Sequence, residues 1–157
     1  MTCPFCEIVD GDGDGDGDGN GDGDGDTLLL EETDETIAFA PLDPVSEGHL
    51  LVVPKTHYES LFDIPAETLA EVTTHARSIV RRLRDAGFDG ANLLHASGEA
   101  AQQSVPHFHL HVAPRRADDG LDLWPESGYE EGEGKLDRPY ERIREALELE
   151  CAGRTDS

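Results

Sequence analysis

The sequence predicts an α+β domain built on an antiparallel sheet of about five strands. Three features point there: apolar runs of strand length, one long stripe of helically spaced apolar residues lying among them, and a second amphipathic stretch near the end of the chain. Strands, helix, strands, helix is the order of an α+β domain. A doubly wound sheet would alternate strand with helix throughout.

In chain order, Cys3 to Val9 reads as a short turn or helix. Residues 10–26 alternate Gly with Asp almost without interruption. Such a segment has high backbone entropy, nothing apolar to bury and dense like charge, so it is expected to be a disordered acidic insertion. Its spacing matches neither the calcium-binding nonapeptide repeat nor an EF-hand loop. Thr27–Leu30, Thr36–Leu42 and Gly48–Val53 follow as strands of a meander, divided by acidic, Pro or Gly punctuation. The unbroken run Leu50, Leu51, Val52, Val53 fits a central strand covered on both faces.

Pro65 opens a long helix whose apolar face is Leu69, Val72, Ala76, Ile79, Val80 and Leu83, with Gly87 as its stop. His75, beside that stripe, is expected at the surface. Ala91–Ala96 and Phe108–Ala113 read as two more strands. Asp137 is placed to cap a final helix carrying Tyr140, Ile143, Leu147 and Cys151. The whole reads as a single domain over residues 1–150, with 151–157 a flexible tail.

The formal net charge is −23, and the eight aspartates from Asp10 to Asp26 account for only eight of those charges. Acidity therefore pervades the domain, and only Lys55 and Lys135 supply lysine. A surface of this kind repels polyanions, which argues against nucleic-acid binding. It is the composition expected of a protein adapted to high salt, where the Debye length falls to about 3 Å at 1 M. No apolar run approaches the roughly 18 residues of a membrane span, and no signal peptide opens the chain, so the expected location is cytoplasmic.

The chemistry concentrates in Gln103-Ser104-Val105-Pro106-His107-Phe108-His109-Leu110-His111-Val112-Ala113-Pro114. On an extended segment side chains alternate, so His107, His109 and His111 share one face while Phe108, Leu110 and Val112 enter the core. Neighbouring imidazoles then lie about 6.6–6.8 Å apart. Three imidazoles in a row are costly to bury without partners. A strand that merely exposes them is one reading, and a His-x-His metal site as in cupins is another. A third is nucleophilic attack on phosphorus by a neutral imidazole whose tautomer a neighbour fixes. The Cys3-Pro4-Phe5-Cys6 pair reads as metal-binding or redox. Too little chain precedes it for the strand that presents the similar glutaredoxin motif.

The run from Gln103 to Pro114 resembles the signature of the histidine-triad superfamily, and Gly48-His49-Leu50-Leu51-Val52-Val53-Pro54-Lys55 resembles that family's second landmark. The resemblance implies the family's α+β fold, a homodimer, and a purine nucleotide as substrate. It implies that His109 attacks the α-phosphorus, forming a nucleotidyl-histidine that water or another acceptor resolves. His111 would bond the phosphate region, His107 would support the nucleophile with help from His49, and Ser104 would assist the leaving group. Gln103 would line the phosphate pocket and Leu42 would pack on the base.

Relatives usually carry Asp or Asn where Pro41 stands, and some carry Asn or Gln at Ala96. Asp43 and Ser97 are the candidate substitutes. Relatives with such a Cys pair hold structural zinc through it and two histidines, which implies Cys3, Cys6, His57 and His107 here, with no metal needed for the chemistry. His107 is then a candidate for either the metal or the catalytic network. The expected activity is hydrolysis or transfer at a nucleoside phosphoramidate or related anhydride. A dinucleoside polyphosphate hydrolase and a zinc-stabilised nucleotide-binding protein with little turnover are the alternatives.

Overall fold

The computed structural model describes residues 3–11, 27–124 and 139–152. The chain gathers into two compact units, residues 1–121 and 122–157.

The first unit holds helix α1 (Pro4–Asp10), strands β1 (Leu29–Glu32), β2 (Thr36–Phe39) and β3 (Leu50–Pro54), and helix α2 (Ala66–Asp85). Strands β4 (Gly90–Leu94) and β5 (Leu110–Arg115) complete it. The five strands form one sheet in the order β1-β2-β3-β5-β4, antiparallel at every junction. The sheet is therefore the expected one, and β3 lies at its centre with every residue buried. In the second unit, helix α3 spans Pro139–Ala152. The expected cap Asp137 and most of the Gly/Asp segment, residues 12–26, lie outside the described residues.

Strand alternation sorts the core into two clusters, one on each face of the sheet. Ala38, Leu50, Val52, Phe108, Leu110 and Val112 pack with Val72, Ala76 and Ile79 of α2. Ile37, Phe39, Leu51 and Val53 pack with Phe5 of α1. Leu69, Val80 and Leu83 flank the first cluster, so all six residues of the expected helical stripe face the sheet. The helix begins one residue past Pro65 and ends at Asp85, with Ala86 as its C-cap before Gly87. Pro at the entry costs nothing, because its missing N–H belongs to the first turn and has no helical partner there.

The strand ends differ from expectation by a few residues. β2 stops at Phe39, short of Leu42, because Pro41 and Pro44 cannot donate to a ladder. β5 starts at Leu110 and runs on to Arg115. This leaves His107, Phe108 and His109 ahead of the strand, His107 in a bend, held by bonds outside the ladders.

His75 is a correction. It is 5% exposed, where a surface position was expected. Its Nδ1 lies 2.7 Å from Thr36 Oγ1 and its Nε2 2.9 Å from Glu31 Oε1. Glu31 also accepts a two-pronged contact from Arg82, at 2.5 and 2.6 Å. That guanidinium, followed by His75, holds the carboxyl below its usual range. The network ties α2 to β1 and β2 through one buried ring. His75→Ala leaves a cavity and strands the buried end of this network, so it is expected to cost about 2–4 kcal/mol, read as a lower urea midpoint at unchanged slope.

Candidate active site

The face of β5 opposite α2 carries the histidines. Phe108, Leu110 and Val112 point to the α2 cluster, so the alternate residues His107, His109 and His111 point the other way. Phe5 of α1 meets His107 and His109 edge-on, with centroids 5.8 and 5.3 Å away. The His109 and His111 rings are 5.0 Å apart. His107 and His109 are 0% and 2% exposed, which is the burial that makes partners obligatory.

Backbone groups assign the proton on most of these rings, because a carbonyl only accepts and an amide only donates. His109 Nδ1 is 2.8 Å from the His107 carbonyl, so it carries hydrogen and leaves a lone pair on Nε2. His107 Nε2 donates to the Pro54 carbonyl at 2.9 Å, leaving its lone pair on Nδ1. The Val45 amide donates to His49 Nδ1 at 3.0 Å. His49 Nε2 must therefore carry hydrogen, which it gives to His111 Nδ1 at 3.0 Å. His111 is left with its hydrogen on Nε2. The row thus offers one imidazole with a free lone pair, His109, beside one with a donor, His111.

Gly48 makes the turn that delivers His49. Its φ of 78° lies in the left-handed region, where a side chain is strained.

Burial lowers the pKa of His49, His107 and His109, and takes that of His111 to about 4, with the neighbouring charges of His109, His49 and His95 adding to the effect. The folded state therefore prefers neutral His111, while the unfolded chain takes up its proton near the ordinary value of 6.5. Over that window the unfolded state binds more protons, so this contribution is complete above about pH 6.5 and is lost as pH falls to about 4. His111→Asn keeps an acceptor for His49 and removes the titration. Urea midpoints at pH 5 and pH 7 are expected to differ less in that variant than in wild type.

Cys3 is the N-cap of α1 and Cys6 lies in its first turn, a helix that Pro4 starts and Gly11 stops in the left-handed conformation. Cys3 Sγ is 3.5 Å from His107 Nδ1, and Cys6 Sγ is 3.6 Å from the same atom and 3.3 Å from His57 Nδ1. All four donor atoms fall within 4.8 Å of one another. Two sulfurs and two nitrogens around a tetrahedral ion of zinc's bond lengths sit about 3.3–3.8 Å apart, so the donor set fits such an ion with little movement. The lone pair that Pro54 leaves on His107 Nδ1 faces the sulfurs, as a bound metal requires. Burial, with the Cys3 thiol adding, pushes Cys6 up to about 11, so that thiol stays protonated until a cation displaces the hydrogen. These four residues can hold a metal ion, and His107 serves both groups: its ring faces the sulfurs and its carbonyl holds His109.

The remaining expected site residues are placed as follows. Gln103 spends its amide on the chain itself: its Oε1 accepts from the Gly98 amide, and its Nε2 donates to the Glu59 and Val105 carbonyls. Ser97 Oγ accepts from the Leu61 amide at 2.9 Å and lies 2.5 Å from His95 Nε2. Ser104 is exposed in the loop entering His107, and Leu42 and Asp43 are exposed in the β2–β3 loop. A cleft of about 240 Å3 lined by Val45, Ser46, Phe88, Pro114 and Arg116 contains none of the triad histidines.

His95, from the loop after β4, belongs with these histidines as well. Its Nδ1 lies 2.8 Å from the His109 carbonyl and its ring stacks on Phe108, with centroids 4.2 Å apart. The backbone partners Pro54 and Val45 carry no side-chain signal that a sequence could show.

The HIT domain family matches residues 23–118. A HIT-like protein of Methanocaldococcus jannaschii is 33% identical over 118 residues, covering 75% of this chain and 82% of that protein. The adenosine 5'-monophosphoramidase of Schizosaccharomyces pombe is 31% identical over 127 residues, covering 80% of this chain and 84% of its own. Among solved structures, a Zn-bound histidine triad family protein from Mycobacterium smegmatis superposes with a TM-score of 0.67 at 31% identity, covering 98% of this chain and 99% of that one. With the triad row, the paired cysteines and the five-stranded sheet already in place, the chain belongs to the HIT family.

Proposed function

We propose that this protein is a nucleotide hydrolase or nucleotidyl transferase that cleaves a nucleoside phosphoramidate, or a related anhydride, at the α-phosphorus. The observation that carries the reading is the state of His109: its Nδ1 hydrogen is held by the His107 carbonyl, so its Nε2 lone pair is free to attack. Attack forms the N–P bond as the P–N bond to the leaving amine breaks, and the amine departs with a proton supplied from the site. Water then attacks phosphorus as the N–P bond breaks and gives up a proton that restores the one lent to the amine, releasing a nucleoside monophosphate and regenerating the neutral imidazole.

In this reading His111 donates its Nε2 hydrogen to a phosphoryl oxygen where negative charge gathers. His49 orients His111, His107 holds the nucleophile, and Ser104 assists the leaving group. Gln103 shapes the phosphate loop through its bonds to Gly98, Glu59 and Val105. Leu42 and Asp43 meet the base and ribose from the exposed β2–β3 loop. Ser97, the candidate substitute at the Ala96 gap, contributes through its bond to His95 Nε2. The phosphoramidase name of the S. pombe relative, whose length this chain largely spans, supports the substrate class.

Cys3, Cys6, His57 and His107 hold zinc in this account, supported by their donor geometry and by the Zn-bound M. smegmatis relative. The ion would cross-link the start of α1 to the chain just past β3 and just ahead of β5, a structural service. A homodimer is part of the proposal, supported by β4: it is an edge strand whose Leu93 and Leu94 are 49% and 37% exposed. So is a domain extending over residues 1–150. A cytoplasmic location is proposed as well; among the described residues no helix is long and apolar enough to cross a membrane.

The test is turnover. In molar salt, wild-type protein is expected to release AMP from an adenosine phosphoramidate. Binding of AMP with no turnover of any phosphoramidate or dinucleoside polyphosphate would contradict the enzyme reading.

A further inference from the structure

The nucleophile stands at an unusual place in the sheet. The β4–β5 ladder ends at the pair Leu94 and His111, and the β3–β5 ladder ends at Val52 and Leu110. His109 precedes both, so the main-chain bonds that make a strand rigid stop just short of it. Its amide neighbours are held by turns and loops: His107 N bonds the Val105 carbonyl and Phe108 N the Tyr58 carbonyl. The carbonyl of His109 itself, which a longer ladder would have engaged, is met by a side chain, His95 Nδ1, at 2.8 Å.

We propose that His95, held by Ser97, is a positioning residue for the nucleophile, fixing the His109 main chain where the ladders no longer do. The direction of every bond in the relay follows from its ends. The Leu61 amide can only donate, so Ser97 Oγ accepts there at 2.9 Å. The His109 carbonyl can only accept, so His95 carries its hydrogen on Nδ1, and its Nε2 accepts the Ser97 hydroxyl hydrogen at 2.5 Å. The opposite tautomer would set a nitrogen lone pair against a carbonyl lone pair. Ser97 therefore selects the tautomer of His95 that can pin His109.

The imidazole adds a second hold: it stacks on Phe108 at 27° between planes, and Phe108 is buried in the α2 cluster. The residue before the nucleophile is thus anchored to the core, and the nucleophile's own carbonyl is tied to the same ring. His109 is then located at two points, its ring by the His107 carbonyl and its main chain by His95. In-line attack tolerates little misplacement, so such a hold matters to rate more than to binding.

The kinetic consequence rests on the hydrolase reading above; the positioning itself does not. His95→Phe keeps a ring over Phe108 and removes the donor, whereas His95→Asn restores an N–H near the Nδ1 position. The first readout needs no nucleotide. Long-range 1H–15N spectra of the imidazoles are expected to show His109 as the Nδ1–H tautomer in wild type and His95→Asn, with a displaced or averaged signal in His95→Phe.

The second readout is turnover of an adenosine phosphoramidate. In His95→Phe kcat is expected to fall about 10²-fold with KM little changed, and in His95→Asn to recover most of that loss. Ser97→Ala, which should disturb the fold least, is expected to move both readouts in the same direction by a smaller amount. Folded His95→Phe or Ser97→Ala protein with the wild-type His109 signal and kcat would overturn the proposal. If wild type turns over no nucleotide substrate, the hydrolase reading fails, and the spectra alone decide whether His95 positions His109.

Discussion

His109→Ala protein is expected to fold, to bind nucleotide, and to release no AMP from an adenosine phosphoramidate. Removing the only attacking atom should cost on the order of 10⁴–10⁶-fold in kcat, the loss seen when a covalent nucleophile is deleted and only binding and electrostatic help remain. His111→Ala removes a donor and leaves the nucleophile, so its loss should be smaller, about 10²–10³-fold, as for one donor to a developing oxyanion. The ranking is itself a test. Equal activity of His109→Ala and wild type would remove His109 from the chemistry, whatever the rest of the row does. The assay needs molar salt, because a chain of net charge −23 is expected to be screened only there.

The triad face was legible because strand alternation is strict and because Phe108, Leu110 and Val112 are unmistakably apolar. What alternation could not show is that the ladders end at Leu110 and His111, short of His109. That depends on where β3 and β4 stop, and those stops are set by chain elsewhere. The α2 stripe was legible for the matching reason at helical period, yet His75, one position from Ala76, was misplaced. Its burial depends on Glu31 and Thr36, 44 and 39 residues away, and no local pattern carries a partner at that distance. Gln103 and Ser97 entered as site candidates through the resemblance, Gln103 as lining of the phosphate pocket and Ser97 as a substitute at the Ala96 gap. Apart from the Ser97 bond to His95 Nε2, their bonds run to main-chain atoms of residues 59, 61, 98 and 105, which every residue possesses and no sequence singles out. The metal group came through resemblance, and its geometry adds that His107 turns its lone pair toward the sulfurs because Pro54 holds the opposite nitrogen.

The second large effect concerns that group. Elemental analysis of the purified protein is expected to find about one zinc per chain, the stoichiometry of a single four-ligand site. Cys3→Ser should lose it, and so should wild type treated with a strong chelator. Because structural zinc contributes directly to folding free energy, its removal is expected to cost at least about 3 kcal/mol, a fall of roughly 6–12 °C in melting temperature for a chain this size. Turnover should fall with it, since the residue that offers Nδ1 to the metal also offers its carbonyl to His109. Full retention of zinc in Cys3→Ser would discredit the site. Loss of zinc with unchanged turnover would show that His107 holds the nucleophile without the metal's help.

The row of neutral imidazoles has a role in this reaction only if one of them bonds to phosphorus. The stereochemical course at a chiral α-phosphorothioate reads that directly. Two successive in-line displacements, the first by His109 and the second by water, give net retention of configuration, and retention is the result expected here. Inversion would mean that water attacks phosphorus in one step, with His109 at most a base, and would contradict the nucleotidyl-histidine on which the account stands.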